Sequence, residues 1–466
     1  MAKTKHQAGT PGAGEYDGLT YTELLETDAG TVPDFLSREQ FAPLGFDEVP
    51  VEHFTSQEFF NLEAERMWPR VWQMACREED IPRPGDFHVY EILDWSLLIA
   101  RQDDGSIKAF YNSCLHRGRK LKTKGGSAKQ FRCPFHGFTW NTDGSLKRIP
   151  CPWDFPQVKP ADFTLPEARV DTWAGFVFVN MDADAMPLAD YLDVLPEHFE
   201  GWDLANTSKV VHVGKIVPAN WKATAEAFME AYHAEVTHPQ IMPYSGDING
   251  RYDIYGDHVS RNITPMATPS PVLGDKRPAE QEILDELVGT SGRIIEEEGG
   301  DKLLVPEGMT ARAFMAQMNR NAFAAEDGYD YGDKSDAEML DAIVYNVFPN
   351  FAPWGGYVPN IVYRWRPNGW DSHSCLMEVM FLKRVPKGTA RPRPAPYRLL
   401  GDDEAWSDAA ELGALGPIFD QDMGNLPYVQ AGMRASKRGH ITLAGYQESR
   451  VRQMHQTLMK YIDGAL

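Results

Sequence analysis

Two kinds of spacing alternate along the chain. Residues 97–102 read LLIARQ, the turn DDG follows, and 107–112 read IKAFYN; 138–146 read FTWNTDGSL and 173–182 read WAGFVFVNMD. Short apolar runs bounded by Gly, Asp and Asn predict strands joined by tight turns. The stretch PANWKATAEAFMEAYHAEVTHPQ, from Pro218, has helical character instead. Strong helix formers (Ala223, Ala225, Glu226, Ala227, Met229) follow a proline placed near the start, where it is tolerated. They predict a helix from Asn220 through Glu235. Pro239 disfavours helical geometry at His238, so the helix should end at or just before that residue. Between about 265 and 340 the chain is acidic and helical. Ile283, Leu284, Leu287 and Val288 mark one apolar face, Phe314 and Met318 another. Ser335 with Glu338 forms a capping box ahead of MLDAIVYNVF. By position this region could roof a pocket, and the aromatic-rich YNVFPNFAPWGGYVPN is a second candidate wall.

Length and composition bound these elements. At 466 residues the chain exceeds what one core usually supports, so two domains are expected. No stretch approaches the run of about 18 to 20 apolar residues that a membrane span needs. The N-terminal MAKTKHQAGTPGAGEYDG is polar, lacks the apolar core of a secretory signal and reads as a disordered start to a cytoplasmic protein. The net charge of −21 repels phosphate backbones and anionic lipid, and no compensating Lys/Arg cluster is expected, so nucleic-acid and membrane partners are disfavoured. At most, the acidic balance suggests docking to a basic face of a redox partner.

Five cysteines, an odd number, argue for metal or redox use of a subset instead of a disulfide framework. Cys76, Cys151 and Cys375 have no paired histidine and read as buried small apolar side chains. Cys114 and Cys133 differ. The segment CLHRGRKLKTKGGSAKQFRCPFHG carries C-x-H, sixteen residues, then C-x-x-H. Gly118, Gly125, Gly126, Pro134 and Gly137 place both pairs on loop tips. Two pincers suit a centre with two cysteines on one iron and two histidines on the other better than a single tetrahedral zinc.

A second constellation lies about a hundred residues on. Glu230 and His233 are three apart and share a helix face. His233 and His238 would diverge by roughly 140° on a continuous helix, but a turn broken before Pro239 can swing His238 back. The pair would then supply two arms of a two-histidine, one-carboxylate iron site, which leaves positions open for O₂.

The CLHRG and CPFHG contexts, and the pattern Asn220, Trp221, Lys222, Glu226, Glu230, Tyr232, His233, His238, closely resemble the Rieske non-haem iron oxygenases, in particular the α subunits of ring-hydroxylating dioxygenases. The resemblance implies an α+β chain. An all-β Rieske domain over 46–180 follows an N-terminal tail and helical segment over 1–45. A helix-covered antiparallel sheet over 181–466 forms the catalytic domain. It implies a [2Fe–2S] cluster on Cys114, His116, Cys133 and His136, and a mononuclear Fe(II) on His233, His238 and a distant aspartate. In related chains that aspartate commonly precedes a glutamine by eight residues, which favours Asp422, ahead of Gln430, over Asp420. Asn220 is placed among the catalytic residues, and Glu230 as the bridge to a Rieske histidine of a neighbouring subunit. Aspartate is usual there in aromatic dioxygenases, so the glutamate is a departure. The implied activity uses O₂ and NAD(P)H electrons, delivered through a reductase or ferredoxin, to dihydroxylate an aromatic or polycyclic substrate. The implied assembly is a homotrimer, possible with a small β subunit. Alternatives are a Rieske monooxygenase and a Rieske electron-transfer protein with an inactive mononuclear site.

Overall fold

The computed structural model describes residues 3–5, 15–17, 19–291, 303–358 and 360–466. Most of the N-terminal tail, part of the acidic helical stretch and Pro359 of the candidate wall lie outside the described residues. The chain forms two compact units, Asn61–Tyr191 with Leu204–Asn206, and Met1–Phe60 with Leu192–Asp203 and Thr207–Leu466.

The first unit is built on strands, as the alternating runs require. They are β1 (Gln73–Arg77), β2 (Asp86–Ile92), β3 (Trp95–Arg101), β4 (Ile107–Tyr111), β5 (Gly126–Ser127), β6 (Phe131–Arg132), β7 (Thr139–Trp140), β8 (Leu146–Arg148), β9 (Glu167–Trp173) and β10 (Phe176–Asn180). A seven-stranded antiparallel sheet runs β1-β10-β9-β4-β3-β2-β5, and a small sheet runs β8-β7-β6. LLIARQ and IKAFYN pair as β3 and β4, with Leu98 opposite Phe110. Phe87, Phe110, Phe131, Phe138 and Trp140 bury together with Cys114 and Cys133, so the two cysteines sit on the edge of a packed aromatic core.

The second unit is an eight-stranded sheet with helices over it. Its strands are β11 (Thr207–Val217), β12 (Arg251–Tyr255), β13 (Val259–Thr264), β14 (Ala342–Val347), β15 (Phe351–Pro353), β16 (Asn360–Asn368), β17 (Asp371–Arg384) and β18 (Arg398–Leu399). They are ordered β12-β13-β14-β15-β16-β17-β11-β18, antiparallel except for the last pair. Its helices include α1 (Trp221–Glu226), α2 (Ala234–Thr237), α3 (Glu280–Ser291), α4 (Ala311–Asp327), α5 (Leu415–Ala435) and α6 (Ser449–Asp463). One β-rich unit and one helix-covered, largely antiparallel sheet are the expected α+β composition.

Several local expectations change. The compact units divide the chain at Asn61, not at residue 46. Residues 46–60 bond within the second unit instead: Val49 and Pro50 pair with Ile441 and His440, and the Val51 N–H donates to the Gly439 carbonyl. The predicted helix 220–235 breaks after Glu226, for reasons given below. On α4 the buried face is Ala311, Met315, Ala316 and Asn319, one residue round from the one marked by Phe314 and Met318, and Phe314 packs half-buried against the same cluster. The Ser335–Glu338 capping box forms, but its helix ends at Leu340 and AIVYNV continues as β14. Cys76 and Cys375 are buried as expected, whereas Cys151 is exposed, on a surface turn with left-handed backbone. Among the described residues, no helix is long and apolar enough to cross a membrane.

Candidate metal centres

In the first unit the two pincers are built alike. The Cys114 N–H donates to the Arg119 carbonyl, and the Gly118 N–H donates back to the Cys114 carbonyl. The Cys133 N–H donates to the Phe138 carbonyl, and the Gly137 N–H donates back to the Cys133 carbonyl. Each loop closes on a glycine four residues after its cysteine, Gly118 at φ +73° and Gly137 at φ +81°. Only glycine adopts that backbone at little cost. Both thiols are buried, whereas His116 is half-buried and His136 exposed. The imidazoles lie edge to face with centroids 4.7 Å apart, and His116 stacks on Phe138 at 4.6 Å. Burial raises the Cys114 thiol, the largest of its influences. The sulfurs and the imidazole nitrogens do not converge on one point as a single zinc would need; the only such convergence among the described residues is in the second unit. A thiol pair inside and an imidazole pair outside fit a two-iron centre ligated by two cysteines and two histidines.

The second unit brings His233, His238 and Asp422 together, with one ligand atom of each within 4.8 Å of the others. The His238 Nε2 lies 2.9 Å, and the His233 Nε2 3.5 Å, from the same oxygen, Asp422 Oδ1. Asp422 arrives on α5, 184 residues after His238. Its carboxyl, which burial alone would raise, is held below its ordinary value by the two imidazoles. His233 is pushed up to about 10: burial works against its charge, and the carboxylates of Asp422 and Glu230 outweigh burial. Two imidazoles and one carboxylate converging on one point are a hard, oxygen-tolerant donor set suited to Fe(II).

The far nitrogens are also held. His233 Nδ1 donates to Glu230 Oε1 at 2.7 Å, and the His233 backbone N–H donates to Glu230 Oε2 at 3.0 Å. His238 Nδ1 donates to Gln421 Oε1 at 2.8 Å, an oxygen that also accepts from Gln240 Nε2 at 2.7 Å. These bonds hold each ring through Nδ1 and turn its Nε2 toward Asp422, the nitrogen that a metal takes once any proton on it is displaced.

This geometry explains the broken helix. Beyond Glu226 the backbone leaves α1, and its released groups are taken up by distant side chains. Arg450 Nη1 donates to the Met229 carbonyl at 3.0 Å, and the Tyr252 hydroxyl accepts the Ala231 N–H at 3.2 Å. The chain resumes as α2 and ends at His238, ahead of Pro239. Glu230 and His233 therefore meet across an irregular turn and not along one helix face.

Asn220, expected among the catalytic residues, is placed otherwise. It is buried, and its Oδ1 caps α1 through the Lys222 N–H. Its Nδ2 donates to the Ser372 carbonyl at 2.7 Å, and its N–H donates to Gln430 Oε1 at 2.8 Å. It is a positioning residue that ties α1 to α5. Asp420 turns away from the cluster: its carboxylate accepts the Trp406 and Ser407 N–H groups.

A cavity of about 500 Å³ opens onto His233, His238 and Asp422. Its walls are mainly Phe228, Val344, Trp354, Ile361, Leu412 and Phe419, with Leu287 and Met315 reaching in from α3 and α4. Trp354 and Val358 come from the aromatic-rich segment marked as a wall. Among the described residues, the only carboxylate on the cavity apart from Glu230 and Asp422 is Glu411, paired with Arg398, and no Lys or Arg lines it. Sequence reasoning missed Gln421, Gln240, Tyr252 and Arg450; Gln421, beside Asp422, and Gln240, two residues after His238, lay near marked residues, whereas Tyr252 and Arg450 did not.

Residues 71–159 match the model of the Rieske [2Fe-2S] domain, and residues 190–464 match that of the ring hydroxylating alpha subunit (catalytic domain). The chlorobenzene dioxygenase subunit alpha of Cupriavidus sp. (strain PS12) is 35% identical over 191 residues, 40% of this chain and 42% of that one. The chain thus spans about two fifths of the length of the first curated relatives it matches. A quaternary ammonium Rieske monooxygenase in complex with L-carnitine superposes with a TM-score of 0.63 at 17% identity, covering 91% of this chain and 99% of that one. Naphthalene 1,2-dioxygenase with indole bound in the active site superposes with a TM-score of 0.62 at 19% identity, covering 90% and 93%. At these identities the likeness of the two structures is one of fold.

Proposed function

This chain belongs to the ring-hydroxylating alpha-subunit family and carries a Rieske [2Fe–2S] domain, and from that premise we propose that it is a terminal oxygenase that dihydroxylates a neutral aromatic or polycyclic substrate. The observation that carries the reading is the apolar cavity that runs up to the two histidines and Asp422. A cavity whose described lining carries no free cationic or anionic side chain offers nothing to compensate a desolvated charge, which favours an uncharged substrate.

Cys114, Cys133, His116 and His136 would hold the [2Fe–2S] cluster, and His233, His238 and Asp422 would hold the mononuclear iron. When bound, these groups supply one-electron transfer and open coordination positions for O₂. Glu230 and Gln421 fix the imidazole orientations, and the apolar walls orient the substrate and exclude water. Reducing equivalents from NAD(P)H arrive through a reductase or ferredoxin. We place the chain in a head-to-tail homotrimer, with room for a small β subunit, in which Glu230 meets a Rieske histidine of a neighbouring subunit.

The test is product analysis with labelled O₂ on the reduced protein, using naphthalene and biphenyl as probes, together with iron analysis. Two labelled atoms in a cis-dihydrodiol and three irons per chain are expected. One labelled atom would make the protein a monooxygenase. Two irons per chain, unchanged in His233→Ala, would make it an electron-transfer protein without a mononuclear site.

A further inference from the structure

The sheet supplies one wall of the cavity, and that wall carries two hydrogen-bond donors without acceptors. Asn262 on β13 lies opposite Val344 on β14, Val344 bridges to Trp354, and the Trp354 N–H donates to the Ile361 carbonyl on β16. All four residues line the cavity. Side chains alternate along a strand, so Tyr363, two residues beyond Ile361, stands on the same face, and it too lines the cavity. The Asn262 carboxamide is occupied: its Oδ1 accepts from Thr264 Oγ1 at 3.2 Å, and its Nδ2 donates to the Arg251 carbonyl at 3.4 Å.

Tyr363 and Trp354 differ. Tyr363 is only 4% exposed, yet its hydroxyl has no hydrogen-bond partner among the described residues. The Trp354 Nε1 is buried and likewise lacks an acceptor. The two rings meet edge to face with centroids 6.2 Å apart. Phe228 at 4.9 Å and Phe419 at 6.0 Å also pack against the Tyr363 ring, so its body is held by aromatic neighbours. A buried tyrosine or tryptophan normally finds a partner for its polar end. Burial raises the Tyr363 hydroxyl above its ordinary range and the charge of Asp422 adds to it, so the group keeps its proton. An indole N–H can only donate. Two orphan donors on one wall call for an acceptor. It must be uncharged, because no Lys or Arg among the described residues lines the cavity to replace the hydration of an anion.

We infer that Tyr363 is a specificity-determining residue that donates a hydrogen bond to a neutral acceptor oxygen on the substrate, with Trp354 as the second donor of the same wall. The inference rests on the oxygenase reading above and narrows its substrate class. Of the neutral aromatics, those bearing a carbonyl or ring-ether oxygen are preferred. The apolar walls take the ring system, and the hydroxyl fixes which edge of it faces His233, His238 and Asp422. A site built around a donor discriminates against the analogue that lacks the acceptor.

The test uses the full-length, iron-loaded protein without O₂. The probes are matched pairs that differ at the acceptor alone: indane with 1-indanone, and fluorene with 9-fluorenone. Binding is measured calorimetrically. The ketone should bind about tenfold more tightly than its hydrocarbon. Tyr363→Phe keeps the packed ring and removes the donor. It should weaken ketone binding about tenfold and leave hydrocarbon binding unchanged. Iron content and the electron paramagnetic resonance of the cluster should match the parent, which separates a lost donor from a disturbed site. Trp354→Phe should weaken the ketone selectively as well. Equal binding within the pairs, a ketone preference that survives Tyr363→Phe, or equal losses for ketone and hydrocarbon overturns the inference. So does binding of neither ketone. Tighter binding of fluorene-9-carboxylate than of 9-fluorenone also overturns it, because the substrate would then be an anion. With the ketone preference intact, products free of label from O₂ would defeat the oxygenase reading and leave the binding inference standing.

Discussion

Gln421 is the residue on which the geometry of the candidate iron site makes its sharpest demand. His238 is only 4% exposed, so the N–H on its Nδ1 has no recourse to water. Its partner is Gln421 Oε1 at 2.8 Å, which Gln240 steadies from the other side at 2.7 Å. Gln421→Leu keeps roughly the same volume and removes the acceptor. A buried N–H left unsatisfied costs about 1–3 kcal/mol, and the ring can avoid that cost only by rotating its Nε2 away from Asp422. Partners that orient metal-bound imidazoles typically contribute about 10- to 100-fold in metal affinity, or about 1.4–2.7 kcal/mol, so the two routes agree in size. The assay is anaerobic titration of iron-free protein with Fe(II) against a chromogenic chelator. Gln421→Leu should weaken the dissociation constant by that factor, and Gln421→Glu should restore it, with the Rieske signal intact in both. A dissociation constant for Gln421→Leu within about twofold of the parent would show that Asp422 alone orients His238, and the reasoning would be wrong.

Three further outcomes follow from the same contacts. Because His233 is held protonated up to about pH 10 without metal, Fe(II) must displace a proton; affinity should rise about tenfold per pH unit between about pH 6 and 8, and a flat profile in the chelator titration would count against this ligand set. Glu226, half-buried and hydrogen-bonded to His455 Nε2 at 2.7 Å, is raised to about 8 chiefly by desolvation, so its contribution to stability is complete below its unfolded value of 4.5 and is lost as pH rises toward 8. Glu226→Gln does not titrate, so its melting temperature relative to the parent should climb from pH 5 to 8; a constant offset would refute the assignment. Asn220→Ala removes a helix cap and should cost about 1–2 kcal/mol of stability in chemical denaturation, while iron content and KM in the folded fraction stay unchanged. A selective loss of turnover at full iron loading would return Asn220 to the catalytic residues.

What could be read from the sequence was what the chain encodes locally. Both pincers lie within 23 residues, and each closes through its own glycine, so spacing and turn chemistry carry the arrangement without help from the rest of the fold. The strand pairs about β3, β4, β7 and β8 were legible for the same reason. In the iron site the histidines were legible from local spacing, and Asp422 only through the resemblance to related chains. Its carboxylate comes from 184 residues away, and two aspartates two positions apart are indistinguishable by composition; what separates them is that Asp420 is consumed by the Trp406 and Ser407 N–H groups. The helix through Glu235 failed because propensity is a weak prior, and Arg450 and Tyr252 offer the backbone better partners than its own next turn. That failure falls where function is densest. A continuous helix would have left His233 and His238 roughly 140° apart. The break turns one carboxylate, Glu230, to both Nδ1 and the backbone N–H of His233, and lets Asp422 face both imidazoles. The local rule was broken by contacts that only the folded chain supplies, and the broken turn is what assembles the site.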